Sequence, residues 1–153
     1  MKITLSRTSK LNLSAGLDYR LSHILMEALQ LEYSRDWGIY ETKRTKEQQQ
    51  INIKNGASKT MNSKHIPNSL GIVMAFDIVP WIPPYGWSWD GKLLIGGANA
   101  DKARATKECF DEVIGILKKL ANKYYPGQIT FGEDWKTLVD RPHVEITTGQ
   151  EIK

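Results

Sequence analysis

The chain of 153 residues contains one cysteine, three histidines and no apolar run approaching the length of a bilayer span. A lone cysteine cannot close an intramolecular disulfide, so the fold has to rest on its core. Cys109 lies in "ATKECFDEVIGIL", a helical pattern in which a small buried side chain is its expected role. The opening "MKITLSRTSKLNLSAG" lacks the continuous apolar stretch of a secretory signal, which leads us to expect synthesis in the cytoplasm and no stable membrane insertion. Repeats, low-complexity linkers and compositional breaks are also absent. One domain over residues 1–153 is therefore expected, and with 41% hydrophobic and 25% charged residues it has the composition of a globular rather than a collagenous or disordered chain. Twenty-one Lys and Arg against 17 Asp and Glu give a net charge of +4, which favours polyanionic surroundings without choosing among nucleic acid, anionic membrane and acidic wall polymer. Neither a ribonucleoprotein aromatic motif nor a zinc-finger cysteine pattern is present, which argues against a nucleic-acid partner.

The periodicity that is present predicts a small α+β domain, helices packed against an antiparallel-rich sheet. After an extended basic opening, Leu17, Leu21, Ile24, Leu25, Ala28 and Leu29 recur at helical spacing. "DWGIYET" reads as a short strand, and Thr45 with Gln48 as a capping box opening a helix that stops at Gly56. "GIVMAFDIVPW" reads as an interior strand beginning near Ile72. "PWIPPYGWSWDGKLLIGGANADK" reads as an irregular loop with a brief strand near its end, its tryptophans serving local packing or a substrate groove equally well. A long helix with Ala105, Cys109, Val113, Ile116 and Leu120 on its apolar face should follow, then short strands at "QITF" and "HVEIT".

Two of the three histidines stand beside suggestive acids. Twelve positions separate His65 from Asp77, and Asp140 precedes His143 by three in "DRPHVE". Imidazole and carboxylate are zinc ligands that leave room for water, so His65, Asp77 and His143 can form a three-ligand catalytic centre. Asp77 is flanked by Met74, Ala75, Phe76, Ile78 and Val79, and a carboxylate in such a strand needs a cation, hydrogen-bond donors or a metal. If His143 begins a strand, Glu145 shares its face and can orient the imidazole, although an ordinary ion pair explains Glu145 equally well. Asp140 can act as the base for a zinc-activated water or simply cap a turn. His23 has no companion ligand and reads as a surface or boundary histidine.

Taken together, "ETKRTKEQQQINIKNGASKT", "SKH", "AFDIVP" and "FGEDWKTLVDRPHVEI" resemble the peptidoglycan-cleaving zinc peptidases, nearest to phage L-alanyl-D-glutamate endopeptidases. The resemblance runs over most of Ser6 to Ile146. It implies one zinc on His65, Asp77 and His143, an acid/base role for Asp140, and a role for Arg44 in binding a substrate carboxylate or the developing oxyanion. Gln48 and Ser63 are further candidates for the substrate cleft, each with a structural alternative: helix capping for Gln48 and support of the His65 loop for Ser63. The implied substrate is bacterial peptidoglycan, cut between L-alanine and D-glutamate, with D-alanyl-D-alanine cleavage as the alternative of the same class and a noncatalytic wall-binding module as that of a different class. A monomeric phage or prophage endolysin, held in the host cytoplasm until a membrane-permeabilising protein admits it to the wall, is the expected setting. Two departures stand out. The connection between His65 and Asp77 is longer than in the compact family form, and Val144 stands where an aromatic residue is common.

Overall fold

The computed structural model describes residues 1–58, 60–89, 99–137 and 139–152. Among the described residues, four α-helices, α1 (Arg7–Leu13), α2 (Tyr19–Leu29), α3 (Lys46–Lys54) and α4 (Asn99–Tyr124), accompany five strands, β1 (Asp36–Glu41), β2 (Ala75–Ile82), β3 (Gly86–Trp87), β4 (Ile129–Phe131) and β5 (His143–Ile146). The strands form one antiparallel sheet in the order β1-β2-β5-β4, with the short β3 also on β2. This is the expected α+β arrangement, with β2 in the interior.

Alternation along the central strands divides the molecule. Phe76, Ile78, Val144 and Ile146 enter the core, where they join Leu21, Ile24 and Leu25 of α2 and Phe110, Val113, Ile114 and Leu117 of α4. The intervening positions, Asp77, His143 and Glu145, project to the opposite face. Val144 is fully buried between Phe76 and Phe131, its register partners on β2 and β4, so aromatic neighbours occupy the space an aromatic at 144 would need. Cys109 is part of the core as expected, and burial, helped by the nearby charge of Glu112, pushes its thiol up to about 12.

Several expectations need correction. The opening is not extended throughout: Ser6 caps α1 by accepting from the Ser9 amide, and the buried Ser9 hydroxyl accepts from the Ile39 amide of β1. Leu17 precedes α2 rather than joining it, because Asp18 is the N-cap. The central strand begins at Ala75, not Ile72. Before it, the Asn68 side chain accepts from the Leu70 and Ile72 amides, and Gly71 takes a positive φ of 77°, which closes the long connection into a turn of its own. On α4 the buried stripe is broader than expected, with Phe110, Ile114 and Leu117 deeper than Ile116 or Leu120. In the Pro- and Trp-rich segment the brief strand is β3, near its start, and the strand expected near its end falls on residues 90–98, outside the described residues. Trp81 packs edge-on against Trp87 at 4.8 Å within this segment, whereas Trp89 packs against Tyr40 of β1 at 4.1 Å.

Candidate metal centre

Sheet register assembles half of the site. Glu41 of β1, Asp77 of β2 and His143 of β5 are consecutive register partners and so form one row across three strands. His65 reaches this row on a loop whose backbone is fixed from both sides: the Arg44 amide donates to the His65 carbonyl at 2.8 Å and the Met74 amide to the Lys64 carbonyl at 3.0 Å.

Hydrogen bonds settle the ring tautomers. His65 Nδ1 lies 2.7 Å from the Thr42 carbonyl, which can only accept, so Nδ1 carries the proton and Nε2 presents a lone pair. His143 Nε2 donates to Glu145 at 2.8 Å, leaving Nδ1 toward the site. His65 Nε2 is 3.2 Å from Asp77 Oδ1 and 3.2 Å from His143 Nδ1, and His143 Nδ1 is 3.1 Å from Asp77 Oδ1. When both rings are neutral, three lone pairs therefore converge with no hydrogen between them, an arrangement that a cation relieves. A regular tetrahedron with such edges has its centre roughly 2.0 Å from each corner, which is a zinc–nitrogen or zinc–oxygen bond length. His65, Asp77 and His143 thus form a site for one zinc ion.

Electrostatics fit the same picture. Burial alone would raise Asp77, but its close contacts with His143 and His65 outweigh it and hold the carboxyl well below the usual range. Burial likewise opposes a charged His143, yet its bonds to Asp77 and Glu145 prevail and raise the ring to about 9. The sign follows. In zinc-free protein the proton on His143 contributes stability that is complete below an unfolded value near 6.5 and is lost as pH rises through about 9. Zinc must displace that proton. Between pH 6 and 9 zinc affinity should therefore weaken roughly tenfold for each unit of acidification, with one proton released per ion bound. Calorimetry in buffers of different ionisation enthalpy checks the proton count, and a pH-independent affinity would contradict it.

The three ligands open into a cleft of about 560 Å³ that is also lined by Arg44, Ser63, Trp135 and Asp140. Asp140 is carried on a turn: its amide donates to the Gly132 carbonyl at 3.1 Å, and its carbonyl accepts from the His143 amide at 3.2 Å. Burial first, then the charge of Asp77, push its carboxyl up, against the influence of His143, His65 and Arg44. Arg44 reaches the cleft already engaged, with Nη1 donating to Gln49 at 2.6 Å and Nη2 paired with Glu41. Ser63 Oγ accepts from the His65 amide at 3.3 Å, the loop-holding role, and also lies 3.5 Å from Arg44 Nη1. Gln48 does not reach the cleft. Its amide is capped by Thr45 while its side chain donates along the exposed helix surface to Asn52 at 2.8 Å. The neighbouring Gln49 is fully buried instead, bonding Arg44, Ser58 and the Thr60 carbonyl. Glu145 sits between His143 and Lys64, which outweigh its burial and lower its carboxyl.

Sequence reasoning missed Glu41, Gln49 and Trp135, whose ring lies 5.2 Å from that of His143. Glu41 was detectable only through the strand register. Gln49 needed the rotation of α3 to be known to one residue.

An α+β domain with a mononuclear two-histidine, one-aspartate centre facing an open cleft has the build of a zinc hydrolase. The chain belongs to the phage L-alanyl-D-glutamate peptidase family, which matches residues 1–150. A relative described as L-alanyl-D-glutamate peptidase, from Listeria phage A118, is 35% identical over 110 residues, covering 71% of this chain and 29% of that protein. The crystal structure of Serratia marcescens L-Ala D-Glu endopeptidase ChiX superposes with a TM-score of 0.65 at 24% identity, covering 94% of this chain and 90% of that one, a likeness that carries the fold. Among the described residues no helix is long and apolar enough to cross a membrane.

Proposed function

We propose that the protein is a zinc-dependent peptidoglycan endopeptidase that hydrolyses the L-alanyl-D-glutamate bond of the stem peptide. The observation that carries this reading is the convergence of His65, Asp77 and His143 at zinc-ligand spacing beside Asp140, in a chain whose family is described by that activity. Bound zinc would polarise the scissile carbonyl and make an adjacent water acidic enough to attack at neutral pH. Asp140 accepts the proton that the attacking water loses and passes it to the departing D-glutamate amine, a task suited to a carboxyl whose pKa is pushed upward. Arg44, held by Glu41 and Gln49 at the wall of the cleft, supplies a positive charge for an acidic stem peptide or for the carbonyl oxygen as it gains charge. Ser63 steadies the His65 loop, and Glu145 fixes the His143 ring.

In this reading the protein acts as a monomeric endolysin from a phage or prophage, reaching the wall from the host cytoplasm once another protein has permeabilised the membrane. Purified peptidoglycan treated with the zinc-loaded protein should release fragments cut between L-alanine and D-glutamate with glycan bonds intact, as read by mass spectrometry. Exclusive release of terminal D-alanine would move the assignment to a D-alanyl-D-alanine peptidase, and glycan fragments bearing intact stems would reject a peptidase.

A further inference from the structure

Lys64 occupies a position that the proposed chemistry does not use. Its ammonium lies 2.9 Å from Glu145 Oε2, on the oxygen opposite to the one that accepts from His143 Nε2, so the Glu145 carboxylate bridges Lys64 and a zinc ligand. The same ammonium donates to the Ile146 carbonyl and to Thr148 Oγ1 at 3.0 Å, and stands 3.5 Å from Glu151. With only 15% of its side chain exposed, Lys64 is held among these acceptors instead of extending into solvent. Its backbone is held as well, by the Met74 amide on its carbonyl. Lys64 is also the residue immediately before His65. One residue therefore joins the two histidine arms of the centre, to His65 through the chain and to His143 through Glu145.

We propose that Lys64 is a positioning residue for the zinc centre, acting through Glu145 to set the orientation of His143 Nδ1 relative to His65 Nε2. This rests on the zinc reading of the site. A carboxylate with two oxygens can hold an imidazole N–H in a fixed direction only if its own rotation is stopped, and Lys64 stops it by engaging the second oxygen. Without Lys64, Glu145 keeps one partner and is free to turn at the rim of the cleft, so His143 loses part of its preorganisation before zinc arrives.

The test is a double-mutant cycle on zinc affinity, measured by competition with a chromogenic chelator on protein shown to be folded by circular dichroism. Lys64→Met should weaken zinc binding by roughly tenfold, the low end for loss of an outer-shell partner. In a Glu145→Gln background the same change should alter affinity by less than about twofold, because the route through the carboxylate is already gone. Lys64→Arg should restore affinity to within about threefold of the wild type, since a guanidinium can still engage Oε2. Glu151→Gln, which removes a different neighbour of Lys64, should leave zinc affinity unchanged. Equal weakening by Lys64→Met in both backgrounds, or none in the wild-type background, would overturn the proposal. If Lys64→Met does not fold, Lys64→Gln carries the same comparison. Wild-type protein that takes up no zinc would instead reject the underlying reading of the site.

Discussion

Asp140→Asn is expected to lower peptide hydrolysis by about 10²- to 10⁴-fold, the range associated with loss of a general acid–base group. Zinc content should stay near one ion per chain, because the three converging donor atoms belong to other residues. The substitution keeps the size of the side chain and leaves intact the turn, which is made by the backbone: Asp140 N to Gly132 O, and His143 N to Asp140 O. Only the capacity to accept and return a proton is removed. Turnover and metal content should be measured on one preparation. Near-wild-type turnover at full zinc occupancy would remove Asp140 from the base role.

Gly132→Ala should be nearly as damaging, although residue 132 touches neither metal nor substrate. A Cβ at that position would stand 2.2 Å from the Asp140 carbonyl oxygen and 3.0 Å from the His143 Cβ. The first of these is backbone, so no side chain can swing aside to relieve it. The turn itself must move, and with it both Asp140 and His143. A displacement near 1 Å in a catalytic constellation costs on the order of 100-fold in rate, and forcing extra volume into a packed site costs about 1–3 kcal/mol of stability. Gly115→Ala on α4 is the internal control. Beyond the backbone of its own helix and its chain neighbours, no atom of the described residues lies within 4 Å of its new Cβ, and alanine should raise stability by up to about 1 kcal/mol. Activity near the wild-type level in Gly132→Ala would show that the Asp140–His143 turn tolerates displacement.

What could be read beforehand divides along physical lines. Asp77 was legible because a carboxylate inside "VMAFDIV" has no local partner, and the Glu145 pairing because alternation on a strand places residues 143 and 145 on one face. The Thr45 cap and the Gly56 stop are local chemistry, and both ends of α3 follow from them. The elements that escaped depend on contacts distant in sequence. Helix α1 is short and is secured by Ser9 bonding to β1, a partner 30 residues away that periodicity cannot reveal. The exchange of Gln48 for Gln49 reflects a side chain drawn inward by Arg44, Ser58 and Thr60, whereas the capping motif reports only on backbone. Glu41 entered the site through pairing with Asp77 across a bulge in β1, a register no single segment encodes. Arg44 was found through the family resemblance, but its engagement with Glu41 was not.

The most direct test of the centre is a crystal structure of the zinc-loaded protein with anomalous data on both sides of the zinc edge. A single peak about 2.0–2.2 Å from His65 Nε2, Asp77 oxygen and His143 Nδ1 is expected, with His143 Nε2 still donating to Glu145. A peak elsewhere, or a His143 ring turned so that Nε2 faces the metal, would contradict the account.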